Sequence, residues 1–320
     1  MYGNVPLRQL TPAKAVEMTD DVDETIYKRV SFWRRLSRHK LAIMGFVVLL
    51  LVVLAAVLAK FLAPFDPNFI DEKWWHGDPV KPCFLDALHC GHHLLGSDEI
   101  GRDLLSRMLF GAQISLQVAM FAVLVEITIG TALGAIAGYY GGWVDWVLMR
   151  ITDVFLSIPL LPLLLVLTGI VAASSSKASL SFGVIVLIVG LLTWPGVARL
   201  VRASFLSLRE REFAEAARAV GNRDGRIIFR HLLPNAVAPI VVQATLDVAG
   251  VIVLESTLSY LGFGIQPPTA SWGNMLAAAE GTMSNGWWVA VFPGLCILVT
   301  VLAINYIGDG LRDALDPNMK

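Results

Sequence analysis

Glu212-Phe213-Ala214-Glu215-Ala216-Ala217-Arg218-Ala219-Val220-Gly221, followed by an Arg-rich link and then His231-Leu232-Leu233-Pro234-Asn235, is the polar stretch on which the reading of this chain turns. Hydrophobic runs long enough to cross a bilayer lie on both sides of it. Phe213, Ala216, Ala217 and Val220 recur at i, i+3, i+4 and i+7, the period of one helix face. Glu212, Glu215 and Arg218 fall off that stripe. The small alanines let another surface approach the backbone closely, and Gly221 can take the left-handed conformation that ends a helix. A second short helix is expected to start near Asp224, a good cap residue, and to stop before Pro234. A charged, Ala-rich helix held between membrane spans fits a docking element facing the cytoplasm. The same periodicity also fits an ordinary amphipathic helix in a loop.

Composition supports the membrane setting. Of 320 residues, 56% are hydrophobic and 16% charged, against roughly 25% charged in soluble domains. The net charge of −1 singles out no partner, and no nucleic-acid partner is expected. Three cysteines are too few for a disulfide scaffold.

Working outward, residues 1–40 form a polar segment. In it Ile26, Val30 and Trp33 recur at helical spacing among Lys28, Arg29, Arg34, Arg35, Arg38 and Lys40. This predicts a basic helix lying on the inner membrane surface, a disordered basic tail being the alternative. Residues 41–63 read as the first span, too long and too far into the chain for a cleaved signal peptide. A polar exterior loop over 64–110 follows, then a five-span unit over 111–313 and a tail over 314–320. The five further spans are expected at about 112–139, 146–171, 180–201, 236–262 and 287–308. Trp143, Trp146, Trp194, Trp272, Trp287 and Trp288 fall near their ends, as interfacial aromatics do. Pro159, Pro162 and Pro195 read as kinks tolerated within a bundle. With the N-terminus inside, cytoplasmic segments hold 19 of the 25 Lys and Arg and exterior segments five, Lys60 lying at a span end. That asymmetry places both termini and the 202–235 loop in the cytoplasm.

The quoted stretch resembles the "EAA" loop of integral-membrane subunits of binding-protein-dependent ABC importers. Glu215-Ala216-Ala217, then Gly221, then Leu233-Pro234 carry the likeness; His231 stands where Ile is usual. Further motifs narrow it. These are Leu95-Gly96-Ser97-Asp98-Glu99-Ile100-Gly101-Arg102-Asp103 and the Asp145, Met149, Arg150, Asp153 set. Glu255 to Gly262, Gln266-Pro267-Pro268, Ser271-Trp272-Gly273 and the tail from Gly308 to Pro317 complete them. Together they resemble the dipeptide/oligopeptide permease subfamily, with Ser97 in place of the commoner Thr.

The resemblance implies an all-α membrane protein with six transmembrane helices and the type I ABC importer permease fold, sited in a bacterial inner membrane. It implies half of a translocation path, completed by a second homologous permease subunit, two cytoplasmic ATPase subunits, an extracytoplasmic solute-binding protein and membrane lipid. ATP and Mg would sit on the partner subunits, with no cofactor on this chain. Glu212, Glu215, Ala216, Ala217, Gly221, Leu233 and Pro234 would couple it to an ATPase. No Gly-Lys-Ser/Thr phosphate loop occurs in the sequence, so any ATP chemistry must come from a partner. Peptides are the expected solute, with nickel or glutathione-like solutes as the alternative.

Glu126, Asp247 and Glu255 fall inside predicted spans, where a central acid costs about 2.5–3.5 kcal/mol, so each should face protein or water. They either line the translocation path or make structural hydrogen bonds between helices. A proton-coupled secondary transporter would use the same acids but leaves the 202–235 loop unexplained. No nucleophile–base set occurs within the spans, so catalysis is not expected. In the exterior loop Cys83, His89, Cys90, His92 and His93 cluster. Cys83 and Cys90 are expected to form a disulfide in an oxidising compartment. Free thiols, or a soft-metal site using Cys83, His89, Cys90 and His92, are the alternatives.

Overall fold

A chain that crosses lipid must close its backbone hydrogen bonds within itself, and these apolar runs do so as helices. The computed structural model describes residues 39–86, 93–174 and 182–315. The expected surface helix before residue 39, His89, Cys90, His92 and the last five residues lie outside them.

Helix α1 (Lys40–Val57) and a short α2 (Ala59–Leu62) form the first span. They are followed by α3 (Leu104–Tyr140), α4 (Gly142–Ser157), α5 (Leu160–Ser174) and α6 (Phe182–Leu208). The 202–235 loop, expected in the cytoplasm, holds α7 (Glu212–Ala219), α8 (Asp224–Ile227) and a π-helical turn (Ile228–Leu232). Then come α9 (Leu233–Tyr260), α10 (Trp272–Ala279) and α11 (Trp287–Leu315). Among the described residues there is no strand, only isolated bridges. Five helical segments are long and apolar enough to span a membrane, and α4 with α5 makes a sixth if the pair is one span. His39 and Asp313 approach to 3.5 Å, which puts the start of α1 and the end of α11 at one face of the bundle.

Several expected boundaries move. The third span is not one rod: α4 and α5 meet at 86°. Pro159 disfavours helical geometry in the residue before it, and Ile158 is extended at φ −89°, ψ 128°. Pro195, by contrast, sits inside an unbroken helix. Helix α3 starts well before residue 112 because Asp103 caps it, its Oδ2 accepting from Ser106 N–H at 2.8 Å. Helices α6 and α11 likewise continue past their apolar runs into polar residues. Trp143, Trp146 and Trp287 are exposed, as interfacial aromatics should be, but Trp194, Trp272 and Trp288 are buried.

The tightest seam joins α3 to α6. Gly130, Gly134 and Gly138 lie four residues apart on α3 and face α6. A Cβ on Gly130 would stand 2.6 Å from Val197 Cβ, and one on Gly138 would stand 2.6 Å from Phe205 Cβ. From the other side, Gly190 would meet Val125 Cβ at 2.7 Å. Lipid offers no hydrophobic drive for helix association, so close backbone approach through small residues supplies the packing. The four-residue glycine spacing was present in the sequence and is the signal that would have located this seam.

On the exterior side the chain before α3 folds into a tight cap. Asp98 accepts from Arg102 Nε at 2.6 Å and is ion-paired with Arg107, whose Nε lies 3.2 Å away. His93 is fully buried there, and its backbone carbonyl accepts from Gly96 N–H at 3.0 Å. Its Nδ1 lies 2.8 Å from Asp103 and its Nε2 3.5 Å from Asp71. Gly96 and Gly101 have φ near +83° and +85°, and a Cβ on either would strike Val80 O or the Trp75 side chain.

Candidate functional site

The cytoplasmic loop is built as one piece. Helix α7 ends in a Schellman motif: Gly221 N–H donates to Arg218 O at 2.9 Å and Asn222 N–H to Ala217 O at 3.2 Å. Gly221 takes φ +77° there, as its position in the sequence predicted. The buried residues of α7 are Ala214 and Ala217. This corrects the expected apolar stripe. Phe213 and Val220 are 38% and 81% exposed, and Ala216 is exposed with Glu212 and Glu215. The helix sits on the bundle through its alanines and turns Phe213, Ala216 and Val220 outward.

The loop is tied to the bundle at both ends. Arg209 Nη1 donates to Gly138 O at 3.2 Å and Tyr139 O at 3.3 Å, satisfying carbonyls at the end of α3 that have no helical partner. Arg218 Nη2 donates to Arg209 O at 3.0 Å. The second helix starts at Asp224, but the cap expected of that residue is absent: Arg223 holds the cap position without a side-chain bond. Instead Asp224 Oδ1 accepts from Tyr139 Oη–H at 2.8 Å. Nor does the second helix stop before Pro234. It runs through the π turn into α9, where Pro234 occupies the first turn and its missing N–H costs nothing. Leu232 is fully buried beneath this junction. The motif acids of α4 serve the same face: Asp145 pairs with Arg202, and Asp153 pairs with Arg199.

Two of the three acids predicted within spans come together. The elbow at Ile158-Pro159 borders a cavity of about 520 Å³ between α3, α4, α5, α6 and α9, lined by Glu126, Asp247, Thr193 and Gln243 among apolar side chains. Glu126 is buried, and its carboxyl group interacts with that of Asp247. Gln243 Nε2 donates to Asp247 Oδ1 at 2.8 Å.

Glu255 stands apart from this cavity. It is fully buried, accepting from Ser115 Oγ at 3.0 Å and Ser259 Oγ at 2.7 Å. Ser259 Oγ accepts in turn from Ile265 N–H, and Ser115 Oγ from Trp272 N–H. Glu255 thus binds α3 and α9 to the exterior segment that carries the Gln-Pro-Pro and Ser-Trp-Gly motifs. Ser271 and Asn274 close that segment as a reciprocal cap on α10. In the exterior loop Cys83 is disulfide-bonded and Cys296 is free. No group of three metal-ligating side chains occurs among the described residues.

A bundle of bent and straight spans with a helix pair packed on one end fits the type I ABC permease fold that the resemblance implies. Comparison agrees. The family profile for the binding-protein-dependent transport system inner membrane component matches residues 130–320. That for the N-terminal membrane domain of oligopeptide transport permease C matches residues 30–76. A dipeptide transport system permease protein of Alkalihalophilus pseudofirmus is 38% identical over 313 residues, 97% of each chain. A glutathione transport system permease protein of Pectobacterium atrosepticum is 41% identical over 292 residues, 90% of this chain and 91% of that one. The inward-facing MetNI methionine ABC transporter superposes with a TM-score of 0.53 at 20% identity, covering 67% of this chain and 97% of that one. The chain belongs to the family of inner-membrane components of binding-protein-dependent transport systems, and is a multi-pass inner-membrane permease subunit.

Proposed function

We propose that this subunit forms half of the path of an ATP-driven importer of short peptides, and that the 202–235 loop receives the stroke of a cytoplasmic ATPase. The observation that carries this reading is the construction of the loop. Helix α7 offers Phe213, Ala216 and Val220 outward beside Glu212 and Glu215, while its inner face and cap fix it to the bundle. A push on α7 and α8 passes through the π turn into α9, one unbroken helix that carries Asp247 and Glu255. A companion permease, a pair of ATPases, an extracytoplasmic binding protein and surrounding lipid complete the reading. ATP and Mg belong to the ATPases. The peptide assignment is supported by relatives named for dipeptide transport; a glutathione permease of slightly higher identity supports a second, chemically close solute.

The test is reconstitution. Proteoliposomes holding the full assembly should accumulate dipeptide or glutathione with ATP and remain active when the proton gradient is collapsed. Uptake by this chain alone, or uptake abolished by an uncoupler with ATP present, would replace this reading with a proton-coupled one.

A further inference from the structure

Two carboxylic acids side by side within membrane spans call for a counter-charge. One such acid costs about 2.5–3.5 kcal/mol at the bilayer centre. Two neighbouring acids repel unless a proton or another cation lies between them. Glu126 on α3 is only 4% exposed, and its carboxyl group interacts with that of Asp247 on α9. Apart from each other, Glu126 Oε2 and Asp247 Oδ2 find no hydrogen-bond partner. Gln243 occupies the other Asp247 oxygen, which holds the carboxylate in place without neutralising it. Both acids line the cavity of about 520 Å³ at the α4–α5 elbow, and no Lys, Arg or His is among its lining residues.

We propose that Glu126 and Asp247 form a binding site for the α-ammonium group of a short peptide in transit, an inference that rests on the peptide-import reading above. A primary ammonium brings three N–H donors and one positive charge. It would satisfy both bare oxygens and relieve the repulsion between the acids in one contact. A bare Ca²⁺ or Mg²⁺ ion fits less well, because it needs six or more oxygen ligands, whereas Phe155, Pro159 and Leu254 make the cavity walls largely apolar. Such walls suit the body of an organic solute anchored at one polar end. A dipeptide and glutathione both carry a free α-ammonium, so the site serves either. Because Asp247 rides on the helix that continues from the cytoplasmic loop, the site would be made and unmade as α9 moves against α3.

The test uses the complete importer in proteoliposomes, with radiolabelled Ala-Ala and glutathione as probes. In the variant Glu126→Gln with Asp247→Asn, solute taken up per ATP hydrolysed should fall about tenfold or more, the scale of losing a charged hydrogen bond. The charge-keeping exchange, Glu126→Asp with Asp247→Glu, should stay within about threefold of the unsubstituted protein by the same measure. Should the double neutral variant fail to assemble, Asp247→Asn alone, which can keep the Gln243 contact, should still lower the ratio severalfold. An unchanged ratio in the neutral variants, or equal losses in neutral and charge-keeping variants, overturns the ammonium site while leaving the peptide reading intact. Failure of the unsubstituted importer to take up either probe overturns the peptide reading, and the ammonium site with it.

Discussion

At the scale of single residues, position in the packing decides what each side chain does. Gly138 stands 2.6 Å, measured from where a Cβ would be, from Phe205 Cβ. Gly138→Val should therefore destabilise the permease by about 1–3 kcal/mol, the cost of forcing extra methyls into a filled core. Gly183, with open space around it, should tolerate Ala; thermal unfolding of the purified complex separates the two. Glu255 makes the complementary case. Glu255→Leu leaves the Ser115 and Ser259 hydroxyls with no acceptor for their protons, although each still accepts from a backbone N–H; a buried donor left unpaired costs about 1–3 kcal/mol, and the same melt should show the larger loss. The sequence marked Glu255 as an acid in a span. It could not show that the partner serine lies 140 residues away, so a path role and a structural role read alike.

Among the elements, the cytoplasmic helix pair was the most legible. The start of α7 and its glycine stop were in the sequence, and Gly221 takes the positive φ that a helix stop requires. The period did not reveal which apolar side faces home. Small Ala214 and Ala217 allow close contact with the bundle, which leaves the bulkier Phe213 and Val220 outside. Val220→Asp should then leave the permease's own melting temperature within about 1 °C, as surface changes usually do, yet reduce ATPase retained on co-purification severalfold. Equal retention would remove Val220 from the docking surface. The elbow between α4 and α5 was less legible. Pro159 was read as a tolerated kink; a sharp break follows because the residue before proline leaves the helical region, whereas Pro195 sits buried within an unbroken α6.

For the whole molecule, the five or six spans were readable from apolar length, which follows from the bilayer as solvent, and the Lys and Arg bias sets the orientation expected of them. What escaped was what burial within protein adds. Helices extend past their apolar runs where caps and ion pairs stabilise polar turns, and half of the tryptophans assigned to the interface are core residues. The exterior cap, with its buried His93 and paired arginines, depends on contacts between loop residues that no period encodes. One expectation there can be checked directly. Mass mapping without reductant should recover Cys83 and Cys90 on one linked peptide, since Cys83 is disulfide-bonded and Cys296 is free; two alkylated thiols at these positions would refute the pairing.

The glycine seam has a mechanical corollary. With Val197, Val201 and Phe205 of α6 seated directly on the backbone at Gly130, Gly134 and Gly138, α3 and α6 have no slack in which to slip past one another by small rotamer hops, so they travel as a single welded plank. Any hinge that opens this subunit to one side and then the other has to lie off that plank, and the α4–α5 elbow, flanking the acid pair, is where the chain leaves room for it to bend.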